Sequence, residues 1–170
     1  MSIDGIVIRP VTLADTAGHR ECLQEVMAER RWLAFVEPFS LADSAAFVAR
    51  NLTAGNPHYV VADRENIVGW CDICRQLAPV YAHDATMGMG LRQGYRRRGL
   101  GEDLLRTSLD AARRAGLERV SLSVYAKNAG AVALYRKVGF VIEGTKVRGK
   151  KLDGEYDDVH LMGMLLTGAQ

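Results

Sequence analysis

The run Leu91-Arg92-Gln93-Gly94-Tyr95-Arg96-Arg97-Arg98-Gly99-Leu100-Gly101-Glu102 constrains this chain more than any other. Before it, Met87, Met89 and Leu91 alternate with Gly88 and Gly90, the period of a strand over about Ala85 to Leu91. After it, Leu104, Leu105, Leu109 and Ala112 make an apolar stripe of helical period that stops at Gly116, an expected C-cap. A loop that turns a strand into a helix while carrying Gly99 and Gly101 leaves backbone N–H groups at the helix N-terminus free to face an anion. Arg96, Arg97 and Arg98 add positive charge beside them, so a phosphate or pyrophosphate is the predicted occupant, with a solvated basic turn as the plain alternative.

Two familiar phosphate loops do not fit. A P-loop needs G-x-x-x-x-G-K-[ST], whereas Gly94 to Gly99 is followed by Leu100-Gly101, with neither lysine nor hydroxyl. A dinucleotide loop needs G-x-G-x-x-G and an acidic residue ending the next strand. Here Gly99-x-Gly101 leads to Leu104, and that strand ends Tyr125-Ala126-Lys127-Asn128.

Charge supports an anion site in the same half. The 170 residues carry 22 basic and 20 acidic side chains, a net charge of +2, but residues 1–85 sum to −4 and residues 86–170 to +6. So modest an excess suits a small phosphorylated ligand and speaks against nucleic acid, which draws domains of pI above about 9. The longest apolar stretch, around Leu161 to Leu166, is far below the roughly 20 residues of a membrane span, so no membrane partner is expected. The start Met-Ser-Ile-Asp has no basic region followed by an apolar core, and Cys22, Cys71 and Cys74 are odd in number, which together predict a reducing cytoplasm. Cys71-x-x-Cys74 lies in a strand-like run that points the two thiols to opposite faces, and no second ligand pair accompanies it; core packing is expected and no metal.

Periodicity gives the remaining elements. Ile6 to Arg9 alternates as a strand. Thr12-x-x-Asp15 resembles a capping box opening a helix with Leu13, Leu23, Val26 and Met27 on one face, to about Arg30, and Ser40-x-x-Asp43 opens a second that stops near Gly55. Tyr59 to Ala62 and Ile67 to Cys74 read as a hairpin about Asp63-Arg64-Glu65-Asn66. Val120, Leu122 and Val124 alternate as a strand, and Ala129 to Val138 reads as a helix ended by Gly139. Phe140 to Thr145 and Glu155 to Leu165 should pair across Asp153-Gly154. The order β, two helices, three strands, helix, strand, helix, two strands, with no visible linker or repeat, predicts one α+β domain over residues 1–170.

Arg96-x-x-Gly99-x-Gly101 after a strand, followed by another strand and Asn128-x-x-Ala131-x-x-Leu134-Tyr135-x-x-x-Gly139-Phe140, closely resembles the GNAT superfamily of acetyl-CoA-dependent N-acetyltransferases. The resemblance covers the whole order of elements and implies a central, mixed, mostly antiparallel sheet flanked by about four helices and splayed near Leu91 and Val124. It implies acetyl-CoA as co-substrate, with its pyrophosphate on the backbone of Arg96, Arg97, Arg98, Gly99, Leu100 and Gly101. Met89, Gly90 and Leu91 would run beside the pantetheine arm, Asn128 would hydrogen-bond that arm, and Tyr135 would lie near the sulfur. Family members often carry proline where this chain has Gln93, a departure that keeps the glycine and arginine positions. A homodimer through the C-terminal strands is a further expectation from the superfamily.

Acyl transfer to an amine needs a neutral nucleophile, a polarised thioester carbonyl and a proton for the departing thiolate. A thiol titrates near pH 8.5 and a phenol near 10, so Tyr135 is the candidate general acid, with helix packing as its alternative role. Asn128 also suits an N-cap. Candidate bases are Glu37, in the Trp32 to Phe39 segment, and His83 or Asp84 ahead of the loop strand. Trp32, Phe35 and Phe39 suit an acceptor cleft or the core equally. Asp153-Gly154-Glu155-Tyr156-x-Asp158, with Met162, looks like the C-terminal hairpin of the branches that acetylate amino acids, related small amines or the N-termini of ribosomal proteins. The expected acceptor is a free amino acid or similar small-molecule amine. A protein N-terminus, or a CoA-binding module without catalysis, are the alternatives.

Overall fold

A computed structural model describes residues 5–166; the start considered above for a leader, Met1 to Asp4, lies outside the described residues. Local signals fix most element ends. At the first helix, the Asp15 carboxylate accepts the Thr12 backbone N–H and hydroxyl, each at 2.8 Å, and a bidentate pair from Arg9. Those donors stabilise its charged form and hold it well below the usual carboxylate range. Strand β1 (Ile6–Pro10) is followed by a 3-10 turn and α1 (Thr16–Ala28). Ser40 caps α2 (Leu41–Thr53) by accepting from the Asp43 N–H. Then come β2 (His58–Asp63), β3 (Asn66–Arg75), β4 (Asp84–Leu91), α3 (Leu100–Arg114), β5 (Arg119–Tyr125), α4 (Ala129–Val138), β6 (Val141–Leu152) and β7 (Glu155–Leu165). The α+β order expected from periodicity is the order observed.

Seven strands form one mixed sheet in the order β1-β2-β3-β4-β5-β7-β6, with every neighbouring pair antiparallel except β4 and β5. That parallel pair is short. It consists of Asp84↔Arg119, Ala85↔Val120 and Thr86↔Ser121. Beyond it the two strands part, while β4 stays paired with β3 as far as Leu91 and β5 with β7 as far as Tyr125. Residues 87–91 and 122–125 thus have no partner across the gap between β4 and β5, the splay expected near Leu91 and Val124.

Apolar side chains cover both faces. On one, α3 and α4 bury Leu104, Leu105, Leu109, Tyr135 and Val138 against Cys71, Ile73, Met87, Val120 and Leu122. Each fully buried leucine there contributes about 1.5–3 kcal/mol. On the other, α1 and α2 set Cys22, Val26 and Val48 on Val60, Ala62, Ile67 and Trp70. Cys71 belongs to the first face and Cys74 to the second, where it meets Asn51 of α2.

Two expectations are corrected. Leu13 does not join the α1 stripe: it sits in the preceding 3-10 turn and is 59% exposed, and buried Thr16, His19 and Cys22 take the inward positions instead. Strand β6 continues seven residues past Thr145. The register with β7 shifts between Lys146 and Lys150, and Arg148 takes φ 51°, so a bulge interrupts the alternation that would have marked the strand. Its turn is as expected, with positive φ at both Asp153 and Gly154 (51° and 84°), the requirement of a two-residue I′ hairpin. Among the described residues no helix is long and apolar enough to cross a membrane.

Candidate active site

The loop between β4 and α3 is built from two left-handed residues, Arg97 (φ 61°) and Gly99 (φ 82°), around Arg98. Alternating handedness of this kind turns successive N–H groups inward as an anion nest. The N–H groups of Glu102 and Asp103 both bond Gly99 O, whereas those of Arg97, Arg98, Gly99, Leu100 and Gly101 have no main-chain acceptor. Five consecutive free donors therefore meet at the N-terminus of a 15-residue helix, where the macrodipole is also positive. Gly101 is held close: a Cβ there would stand 3.3 Å from Leu91 Cδ1 and 3.4 Å from Leu134 Cδ2. These donors fit a pyrophosphate.

The three arginines divide their work. Arg97 and Arg98 are exposed beside the nest, Arg98 lying 5.3 Å from the Tyr95 ring centroid, and Tyr95 in turn donates to Asp63 at 2.7 Å. Arg96 is occupied elsewhere. Its guanidinium bonds Leu91 O at 2.9 Å and forms a bidentate pair with Glu29 at the C-cap of α1, and its own N–H goes to Gln93 O. The expectation that Arg96 would face the anion is therefore corrected: it is a strut tying the loop to α1, which its half-buried position favours over a solvated charge.

The gap between β4 and β5 opens next to this nest, with Met89, Gly90 and Leu91 along one side. Tyr135 of α4 lies on the α3/α4 face, buried against Phe140 with ring centroids 5.9 Å apart. Burial, with the nearby Cys71 thiol, drives its phenol pKa upward, so it stays protonated and able to donate. Asn128 performs the capping role, its Oδ1 accepting the Ala131 N–H at 3.2 Å.

A second crevice, of about 330 Å³, lies where residues 30–32, Lys127 in the turn between β5 and α4, and the β6–β7 hairpin meet. Arg30, Arg31, Lys127 and Lys150 line it together with Asp153, Glu155 and Asp157. Arg30 pairs with Asp153 at 2.8 Å, Lys150 Nζ donates to Arg31 O at 2.9 Å, and Lys150 also lies 4.1 Å from the centroid of Tyr125, at the end of β5. Those links hold the residue 30–39 segment against the hairpin. Of its aromatic residues none enters the core: Phe35 is 63% exposed, edge-on to half-buried Phe39, and Trp32 lies under the Arg31 guanidinium. Glu37 is exposed, near Arg30.

His83 is not brought to this region. It is exposed ahead of β4, its carbonyl accepting from Glu118 and Arg119 at the end where β4 and β5 still pair, and Asp84 is engaged with Arg119 at 3.6 Å. A different group of titratable residues is assembled instead. On the α1/α2 face, His19, His58 and Asn51 are buried, with His58 Nε2 3.3 Å from His19 Nε2 and Asn51 Nδ2 3.4 Å from His58 Nδ1. Burial lowers the two imidazoles to about 4 and about 3, keeping them neutral. Cys74 Sγ lies 3.4 Å from Asn51 Oδ1 and 3.5 Å from Asp72 Oδ2. Asp72 was not among the candidates, and its single signal in the sequence is a carboxylate inside an otherwise apolar strand. Desolvation raises it to about 7.

Comparison with known proteins agrees with this geometry. The profile of the Acetyltransferase (GNAT) family matches residues 24–140. The L-amino acid N-acetyltransferase AaaT of Escherichia coli (strain K12) is 32% identical over 98 residues, 57% of this chain and 60% of that protein. The N-alpha-acetyltransferase RimI of Mycobacterium tuberculosis is 36% identical over 107 residues, 62% of this chain and 65% of that protein. The chain thus spans less than two thirds of these curated relatives. The structure of yncA from Salmonella typhimurium with its cofactor acetyl-CoA superposes with a TM-score of 0.91 at 18% identity, covering 98% of this chain and 96% of that one, which is a likeness of fold. With its profile spanning both the loop and the Asn128 to Phe140 motif, the chain belongs to the acetyltransferase (GNAT) family.

Proposed function

We propose that this protein transfers the acetyl group of acetyl-CoA to the primary amine of a free amino acid or similar small acceptor. The observation that carries this reading is the run of five free N–H donors from Arg97 to Gly101 opening onto the gap between β4 and β5. Bound there, acetyl-CoA supplies an activated acyl group and a thiolate leaving group. The nest N–H groups and Arg97 and Arg98 hold the pyrophosphate, and the backbone of Met89, Gly90 and Leu91 aligns the arm. The buried Tyr135 hydroxyl keeps its proton and is the group that donates it to the departing sulfur. Asn128 orders the start of α4 and thereby the position of Tyr135.

The acceptor side is read from the second crevice. Arg30, Arg31, Lys127 and Lys150 outnumber Asp153, Glu155 and Asp157 in this open crevice, a balance that favours an acceptor carrying a carboxylate. The similarity to AaaT favours the same class, and the similarity to RimI makes a protein N-terminus the competing acceptor. Thiol release from acetyl-CoA, measured against free amino acids, simple amines and peptides with a free N-terminus, tests the reading. Release with amino acids above that with peptides is expected, and Tyr135→Phe is expected to lower kcat by about 10²-fold with unchanged CoA affinity. Peptide-selective release would shift the acceptor to protein N-termini, and CoA binding without release from any amine would overturn catalysis.

A further inference from the structure

On β3, Trp70, Asp72 and Cys74 point to the α1/α2 face, since Trp70 packs in that core and Cys74 meets Asn51 of α2. On β4 the residues paired with Trp70 and Asp72 are Gly90 and Gly88, so β4 is bare on this face. The consequences differ along the strand. Over Gly90 the Trp70 ring fills the space, coming so near that a Cβ would overlap it, whereas over Gly88 a Cβ would stand 3.4 Å from Asp72 Oδ1. Gly88 lies just past Thr86, the last β4 residue paired with β5. Seen from the gap, the first functional group across the Gly88 backbone is therefore the Asp72 carboxylate.

Asp72 is deep in the fold yet keeps part of its surface accessible. The charged and titratable groups facing it are few. His58 is its cross-strand partner on β2, with His19 of α1 behind, both neutral. Cys74 shares its strand, and Arg50 of α2 lies beyond Cys74. No cation among the described residues forms an ion pair with Asp72. A carboxylate placed this deep ordinarily has a partner, because burying an unpaired charge is costly. The α3/α4 face below carries Tyr135 beside Cys71, the neighbour of Asp72 in sequence, so proton donor and carboxylate stand on opposite faces of the same stretch of sheet.

We infer that Asp72 receives the ammonium of the acceptor at the splayed seam and takes its proton, leaving a neutral amine opposite the acetyl group. The inference rests on the acetyltransferase reading. One N–H bond of the ammonium breaks as an O–H bond forms at Asp72, which later releases that proton to bulk water; attack by the neutral amine forms the acyl C–N bond as the C–S bond breaks, Tyr135 protonates the leaving thiolate, and the second N–H proton of the attacking nitrogen restores the Tyr135 hydroxyl. A carboxyl group poised near neutrality matches this task, since it is ionised when the amine arrives and still basic enough to hold a proton.

The test is the pH profile of thiol release for wild type, Asp72→Asn and Gly88→Ala, with CoA affinity by calorimetry and melting temperature as controls. Asp72→Asn should lower kcat/KM for the amine by about 10²-fold or more and abolish an acid limb centred near pH 7, with CoA affinity within about twofold of wild type. Gly88→Ala, which keeps Asp72 but sets a methyl group against it, should raise KM for the amine several-fold. An active wild type whose rate and acid limb survive in Asp72→Asn would overturn the role of Asp72 alone. A wild type that binds CoA but releases thiol with no amine would overturn the acetyltransferase reading and this inference with it.

Discussion

The two faces of the sheet are built by different rules. The α3/α4 face is mainly apolar, and the polar groups it buries include the Tyr135 phenol, the Cys71 thiol and the Ser108 hydroxyl, which bonds Leu104 O within its own helix. The α1/α2 face encloses two imidazoles, an amide, two thiols and a carboxyl drawn from α1, α2, β2 and β3. One face leads into a loop whose backbone geometry turns its N–H groups inward. The other is organised around side chains whose charges burial has suppressed. A cofactor recognised through main-chain N–H groups asks for glycine and a helix start, whereas an acceptor recognised through side chains leaves the sequence free to vary.

That contrast makes three predictions. The largest effect belongs to the apolar face: Leu104→Ala should cost about 2–5 kcal/mol by denaturant unfolding, because the leucine is fully buried and α3 is anchored on both sides of it. A loss below 1 kcal/mol would mean that this face is not where stability is concentrated.

The next belongs to the polar face and is a pH effect. His19 and His58 titrate near 4 and 3 in the fold against 6.5 unfolded, so unfolding between about pH 4.5 and 6 takes up two protons. Asp72, raised to about 7 from 3.8, releases one over the same range, leaving a net uptake of about one. Stability should therefore fall on acidification by about 1.4 kcal/mol per pH unit. His19→Gln should flatten the dependence and Asp72→Asn should steepen it; equal slopes in all three proteins would show that the polar face is not the sensor.

The smallest tests the nest. A Cβ at Gly99 meets nothing within 4 Å, so Gly99→Ala has no steric clash and carries only the torsional cost of φ 82°, about 1–2 kcal/mol. Acetyl-CoA affinity should fall about tenfold, and Gly99→Asn, which tolerates that conformation, should fall less. Equal affinity in both variants and wild type would remove the loop torsion from cofactor binding.

Legibility in the sequence followed the same division. Element order, the α4 limits and the Asp153-Gly154 turn were readable because each depends on neighbours within a few residues. The Arg96 to Gly101 loop was readable as a turn that leaves N–H groups free at a helix start, yet the diversion of Arg96 to Glu29 was not, since that contact spans 67 residues. Asp72 escaped notice for a related reason. Within Ile67 to Cys74 it is one polar residue in an apolar strand, and only pairing with Gly88 gives it an opening. The bulge in β6 hid half of that strand because alternation, the only strand signal, is what a bulge removes.

The parting of β4 from β5 has a consequence for how the protein behaves among others. Unpaired strand backbone at the rim of a sheet invites a second chain to add itself, and proteins spend charge and bulges to prevent it. Here the outermost strands are β1 and β6, and the gap sits between β4 and β5, each flanked by a full partner on its far side. An extended peptide from another molecule cannot approach such an interior edge sideways, while a slender ligand entering end-on can. The interior gap is thus open to a slender molecule entering end-on and closed to a strand arriving from the side, unlike the outer edges of β1 and β6.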